Sequence, residues 1–152
     1  MAIFKTRADY YKNTEYFRQY NCNPAYTGGN NWQKADCVIR AFAKTAGITW
    51  LDAFDILSKR ARETYDVPNS MNIYSHVLLE YGFKKHTLSA VKGQKRITVE
   101  DFCKIHSKGR FCVKVANHLT SVVNGICYDH WNPANKCVYS YYELPEKLYN
   151  KK

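Results

Sequence analysis

The spacing of apolar residues changes character at Gly109, and that change restricts the chain to a mixed architecture. Upstream, apolar residues recur at helical intervals. Val38, Ile39, Ala41, Phe42 and Ala46 form one such face, closed by Gly47. Thr49-Trp50-Leu51-Asp52 opens a second helix, with Asp in place of the usual Glu of a capping box, and Phe54, Leu57, Ala61 and Tyr65 continue it. Asn72 is read as the cap of a third helix over residues 73–81, closed by Gly82. Thr98-Val99-Glu100-Asp101 repeats the capping signature before a short helix through Phe102 and Ile105. Downstream, Phe111, Val113 and Val115 alternate with other residues, and residues 118–123 are rich in β-formers. Asn124-Gly125 is a strong hairpin turn, residues 126–129 return from it, and residues 137–142 follow a second turn at Asn132-Pro133-Ala134-Asn135. Residues 83–88 form a further candidate strand. Helices first and an antiparallel sheet afterwards predict an α+β fold.

A length of 152 residues fits a single domain, 1–152. Residues 1–30 read as an N-terminal arm and residues 31–142 as the core. The arm interleaves Tyr10, Tyr11, Tyr16, Phe17, Tyr20 and Tyr26 with Lys and Arg. Such a mixture either stacks on single-stranded bases or wraps over a core with its hydroxyls kept wet. The formal net charge of +10 predicts attraction to an acidic partner, whether nucleic acid, an anionic polymer or an acidic protein surface. Lys92, Lys95 and Arg96, with Lys84 and Lys85 just before them, concentrate that charge and are the candidates for contacting such a partner near a cleft mouth.

No apolar run is long enough to cross a bilayer, so no membrane role is expected. The N-terminal residues turn polar within a few positions and lack a signal-peptide apolar core, which points to a cytoplasm. The six cysteines are then expected as thiols. They contain no C-x-x-C pair, so no metal site and no cofactor are expected. Cys103 and His106 form a lone C-x-x-H inside a helical stretch, and Cys103 reads as a core residue.

The chemistry lies in Asp36-Cys37 at the head of the first helix and in His118 at the head of a strand. A thiol at a helix N-terminus sits in the positive end of the helix dipole, which favours thiolate, and Asp36 is placed to cap that helix. A thiolate brought near a distant His is the minimal set for nucleophilic acyl chemistry. The hairpin at Asn124-Gly125 returns Asp129 toward His118, which makes Asp129 the candidate to orient the imidazole, with Asn132 as the alternative. Each member also has an ordinary reading: a buried helix Cys, a strand-end His, a turn Asp. His76, His86, His106 and His130 lack the order and setting and read as bystanders.

Cys37 on a central helix, then His118 opening a strand, then Asp129 on the next strand resembles the order of papain-like cysteine peptidases. Asp36-Cys37 is similar to the Asp-Cys of the leader peptidases that process bacteriocins. The stretch from Gly109-Arg110-Phe111 to Asp129-His130-Trp131 resembles small proteins of Firmicutes and their phages. The resemblance runs from about residue 31 to residue 142. It implies a papain-like fold, a Cys37–His118–Asp129 triad and a peptide or protein substrate cut at a peptide, isopeptide or amide bond. It also implies an oxyanion hole made by the Cys37 N–H and a Gln side chain six residues earlier. This chain has Asn31 there, one methylene shorter, and Gln33 two residues on. The rival class is a basic binding protein that uses the same scaffold to hold nucleic acid or an acidic protein.

Overall fold

The structure is a computed structural model and describes residues 2–149. Ten elements follow in order: β1 Phe17–Gln19, α1 Cys37–Ala46, α2 Trp50–Thr64, α3 Met71–Tyr81, β2 Lys84–Thr87, α4 Val99–Ile105, β3 Arg110–Val115, β4 His118–Val123, β5 Ile126–Asp129 and β6 Ser140–Leu144. Short 3-10 turns stand at Arg7–Tyr11 and Glu146–Leu148. The fold is α+β, with a mixed six-stranded sheet in the order β1-β5-β4-β3-β6-β2. None of these helices is long and apolar enough to cross a membrane.

The helix boundaries follow local chemistry. Gly47 takes a left-handed conformation (φ 71°) and ends α1, its N–H donating to the Ala43 carbonyl at 2.9 Å. The Thr49 hydroxyl accepts from the Asp52 N–H at 3.0 Å and starts α2. At α4 the full reciprocal box forms, with Thr98 and Asp101 each accepting the other's backbone N–H. The third helix differs from expectation. It begins at Met71 with Ser70 in the cap position, not at Asn72. A turn closed by Ser70 N–H to the Val67 carbonyl, with the Ser70 hydroxyl donating to Asp66, starts the spiral two residues early.

Alternation along the strands sorts the core into two layers. Cys112, Leu119, Tyr142 and Leu144 face α1, α2 and α3. Phe111, Val113, Val115 and Val122 face α4 on the other side. The β4–β5 turn is tight, with Val123 opposite Ile126 and positive φ at Asn124 (50°) and Gly125 (76°). Gly125 is required twice over, because a Cβ there would stand 3.1 Å from the Cys103 carbonyl oxygen. The last strand starts later than expected, at Ser140. Residues 137–139 are held first by a bridge from Cys137 to Thr98 and by bonds to the Ile97 and Lys114 carbonyls.

The arm contributes more than a cover. Phe17–Gln19 lies parallel to β5, Phe17 opposite Cys127 and Gln19 opposite Asp129, and this makes the sheet mixed rather than antiparallel. Phe17 is fully buried in the α4-side core. Tyr11 and Tyr26 turn inward with their rings against His130, the wrapping arrangement. Because Phe17 is a core residue, Phe17→Ala is expected to cost about 3–5 kcal/mol. Urea unfolding checks this; a cost under about 1 kcal/mol would mean the arm is only draped on the sheet.

Candidate active site

Asp36 precedes α1 and is buried, but its side chain makes no capping bond to the helix. Its carboxylate instead accepts from the Trp32 indole (3.0 Å), the Asn23 amide (2.8 Å), the Trp50 indole (3.0 Å) and Nε of Arg40 (2.9 Å). The expected cap is thus replaced by a tether. Arg40, one turn along α1 and also buried, extends Nη1 to Oδ1 of Asp129 at 3.1 Å. Asp129 closes β5 and is saturated. Its Oδ1 also accepts the His130 N–H (2.7 Å), and its Oδ2 accepts the Thr120 hydroxyl and His118 Nε2, each at 2.6 Å.

His118 therefore spends Nε2 on Asp129, which leaves Nδ1 for the thiol. The Cys37 thiol shares a cleft lining with the His118 ring, and the ring and the Leu119 backbone N–H both favour its thiolate. Cys37, His118 and Asp129 are brought together as the sequence suggests. The Trp131 ring packs over the imidazole, with centroids 4.8 Å apart. The series reads Asp36, Arg40, Asp129, His118, Cys37, the first three buried and the last two half-buried, with charges that alternate in sign when the last two form an ion pair.

That alternation sets the titration. Burial pushes the Cys37 thiol up, but the His118 hydrogen bond and charge, the Leu119 N–H and Arg40 outweigh it and hold the thiol below its ordinary 9.0. Burial likewise opposes a charged His118, yet the Asp129 charge and hydrogen bond, with Cys37, lift it to about 9. The other cysteines with a displaced thiol move the opposite way: burial raises Cys22 and Cys127 and pushes Cys103 and Cys112 up to about 12. Burial pushes the Asp36 and Asp129 carboxyls up. Asn23, Trp32 and Arg40 on the first, and His118 and Arg40 on the second, bring both below 3.8.

A cleft of about 310 Å³ opens over Cys37 and His118, bordered by Trp32, Lys34, Asn69 and Trp131 among others. Asn132 does not reach it. Its backbone N–H donates to the Tyr10 carbonyl, and its Oδ1 accepts the Ala134 N–H in the turn after β5. Asn31 and Gln33 are exposed and bond each other at 3.4 Å, outside the cleft lining. Trp32 between them turns inward to Asp36, so its neighbours must turn outward. Of the expected oxyanion donors, the Cys37 N–H alone belongs to a residue of the cleft lining, on the first residue of α1.

The basic loop is not at this cleft. Arg96 donates to the Leu88 carbonyl at 2.6 Å and lies over the Tyr139 ring, and Lys92 and Lys95 are exposed. All three follow β2, the sheet edge opposite β1 and far from β4 and β5. His130, read as a bystander, is structural: Nε2 donates to the Asn30 carbonyl (2.8 Å) and Nδ1 accepts from Asn21 (3.3 Å), a tautomer fixed by those partners. Cys103 is buried, its thiol directed to the Tyr16 carbonyl. Among the described residues no group of three His, Cys, Asp or Glu side chains is placed to hold a metal.

Sequence reasoning missed Arg40, the residue on which the site turns. The available signal was a charge inside the apolar run Val38-Ile39-Arg40-Ala41-Phe42, four residues after an Asp. A charge on a buried helix face requires an acidic partner.

Removing Arg40 leaves two buried carboxylates without their cation. Arg40→Met is expected to cost about 3–5 kcal/mol. The pH profile carries a signature as well. Asp36 and Asp129, depressed in the fold, add stability above 3.8 that is lost as pH falls through their folded values. His118, raised from 6.5 to about 9, adds stability below 6.5 that is lost as pH climbs through about 9. Thermal melts across pH should show both limbs in the native protein, and an acid limb shifted upward in Arg40→Met. Comparison with known proteins adds no relative to these observations: no family model, curated protein or solved structure matches the chain.

Proposed function

We propose that the chain is a papain-like thiol hydrolase or acyl transferase acting on a peptide, isopeptide or amide bond. The observation that carries this reading is the His118 ring, bonded to Asp129 at 2.6 Å and sharing a cleft with the Cys37 thiol, with the thiol lowered and the imidazole raised by each other. An ordinary buried cysteine is pushed the other way by desolvation, as Cys103 and Cys112 are.

In this reading Cys37 exists as thiolate beside protonated His118. The sulfur attacks the carbonyl carbon, an S–C bond forms, and the carbonyl π pair moves to oxygen, where the Cys37 N–H receives it. His118 gives its Nδ1 proton to the departing amine as the C–N bond breaks. In the second half a water, or an acceptor amine, loses a proton to His118 and attacks the thioester carbonyl. The thiolate leaves and the ion pair is restored. Asp129 keeps the ring oriented and the imidazolium stabilised throughout.

A second reading, a basic binding protein, is favoured by the charge of +10 and by exposed Lys84 and Lys85 on the edge strand β2 with exposed Lys92 and Lys95 in the segment after it. It predicts salt-sensitive binding to an anionic polymer that survives Cys37→Ala.

Iodoacetamide at pH 6 should label Cys37 before the other thiols, and His118→Ala should move its labelling midpoint to higher pH. Uniform labelling, mapped by mass spectrometry, would count against the hydrolase. Cys37→Ala should abolish amide cleavage with the fold retained, while Asp129→Asn should keep a remnant, reduced roughly 10²-fold. Cleavage that persists in Cys37→Ala would place the chemistry elsewhere.

A further inference from the structure

The cleft over Cys37 is lined by one cation, Lys34, that has no carboxylate partner among the described residues. The nearby carboxylates, Asp36 and Asp129, are buried, fully engaged, and outside its lining. Arg40 touches the cleft, but its charge is matched by that same pair. Lys34 is different. It is exposed on the cleft wall, and among the described residues no carboxylate lies within ion-pair distance of it. Its ammonium stands 5.8 Å from the Trp32 ring centre, at the outer limit of a cation–π contact, which leaves its N–H donors free.

A second ammonium reinforces the field. Lys114 donates to the Val115 carbonyl at 2.8 Å, and Val115 stands opposite His118 in the β3–β4 ladder. Burial pushes its ammonium down and the Cys37 charge pushes it back up, which couples the two groups. The rest of the wall holds no Asp or Glu: beside Cys37, His118 and His130 it is made of amides such as Asn69 and the indoles of Trp32 and Trp131. A low-dielectric cleft lined by one sign of charge concentrates ligands of the other sign. A volume of about 310 Å³ admits a side chain or a chain end rather than a folded surface.

We propose that this cleft selects acyl donors that carry a carboxylate beside the scissile carbonyl, and that Lys34 is the residue that reads it. The inference rests on the thiol-hydrolase reading and adds to it a substrate class. An acidic side chain and a free C-terminal carboxylate offer the same chemistry to Lys34, and the test separates them.

Two alkylating reagents that differ in charge isolate the effect. Iodoacetate and iodoacetamide attack the same thiolate, so the fraction ionised cancels in the ratio of their rates. At low ionic strength that ratio at Cys37 should exceed the ratio for the urea-unfolded chain by roughly tenfold. It should fall toward the unfolded value in Lys34→Gln, drop further in Lys34→Glu, and shrink with added salt. A ratio that is the same in all three folded proteins overturns the inference. Failure of Cys37 to outpace the other thiols with iodoacetamide is a separate result, and it counts against the hydrolase reading instead. Equilibrium binding to the Cys37→Ala protein keeps the two apart. The probes are N-acetyl-Ala-Glu amide, N-acetyl-Ala-Lys amide and N-acetyl-Ala-Ala free acid, followed by NMR at the Trp32 and Trp131 indole N–H signals. Binding of the Glu amide identifies a side-chain carboxylate, and binding of the free acid identifies a chain end. Binding of all three alike, or of neither acid, overturns the proposal.

Discussion

The guanidinium of Arg40 joins the parts of this molecule that its secondary structure leaves separate. It lies between Asp36 and Asp129, so one planar cation links the segment before α1 to the end of β5. Through Asp36 the link extends to Asn23 in the arm and to Trp50 at the head of α2. Through Asp129 it extends to β4, by way of His118 and Thr120. Buried ion pairs seldom add net stability over a well-packed apolar core, because desolvation offsets their attraction. What they supply here is position. Each carboxylate oxygen is spoken for, so neither aspartate has a second arrangement of comparable energy, and His118 inherits that fixity.

The helical half and the β3–β5 meander were legible because each rests on local signals. Gly47, Gly82, the Thr98/Asp101 box and Asn124-Gly125 act over a few residues, and the structure uses each where the sequence carries it. Non-local features were not legible. Phe17–Gln19 is short and lies in a stretch rich in Tyr and Arg, and its strand character comes from a partner near residue 128. The start of α3 moved because Asp66 and Ser70 close a turn that no helical periodicity reports.

The site divides in the same way. Cys37, His118 and Asp129 were readable from their order along helix, strand and hairpin. Their support was not: Thr120 looks like an ordinary β-strand residue, and Trp32 and Trp50 look like core aromatics, until their hydrogen bonds are seen. Asn31 and Gln33 were chosen by distance along the chain from Cys37. That choice failed because Trp32 claims the inward direction. Spacing places residues near a site, while competition for buried partners decides which of them enters it.

The parallel pairing of β1 with β5 bears on the order in which the protein is made. The ribosome releases the arm and the Cys37 helix first, and the strands that bear His118 and Asp129 well afterwards. Until β5 emerges, β1 has nothing to lie against and Arg40 lacks its second carboxylate. The Cys37 sulfur meanwhile has no imidazolium beside it and stays an ordinary, mostly protonated thiol. On the thiol-hydrolase reading a nascent chain is therefore chemically quiet toward its neighbours until β4 and β5 bring His118 and Asp129 to Cys37.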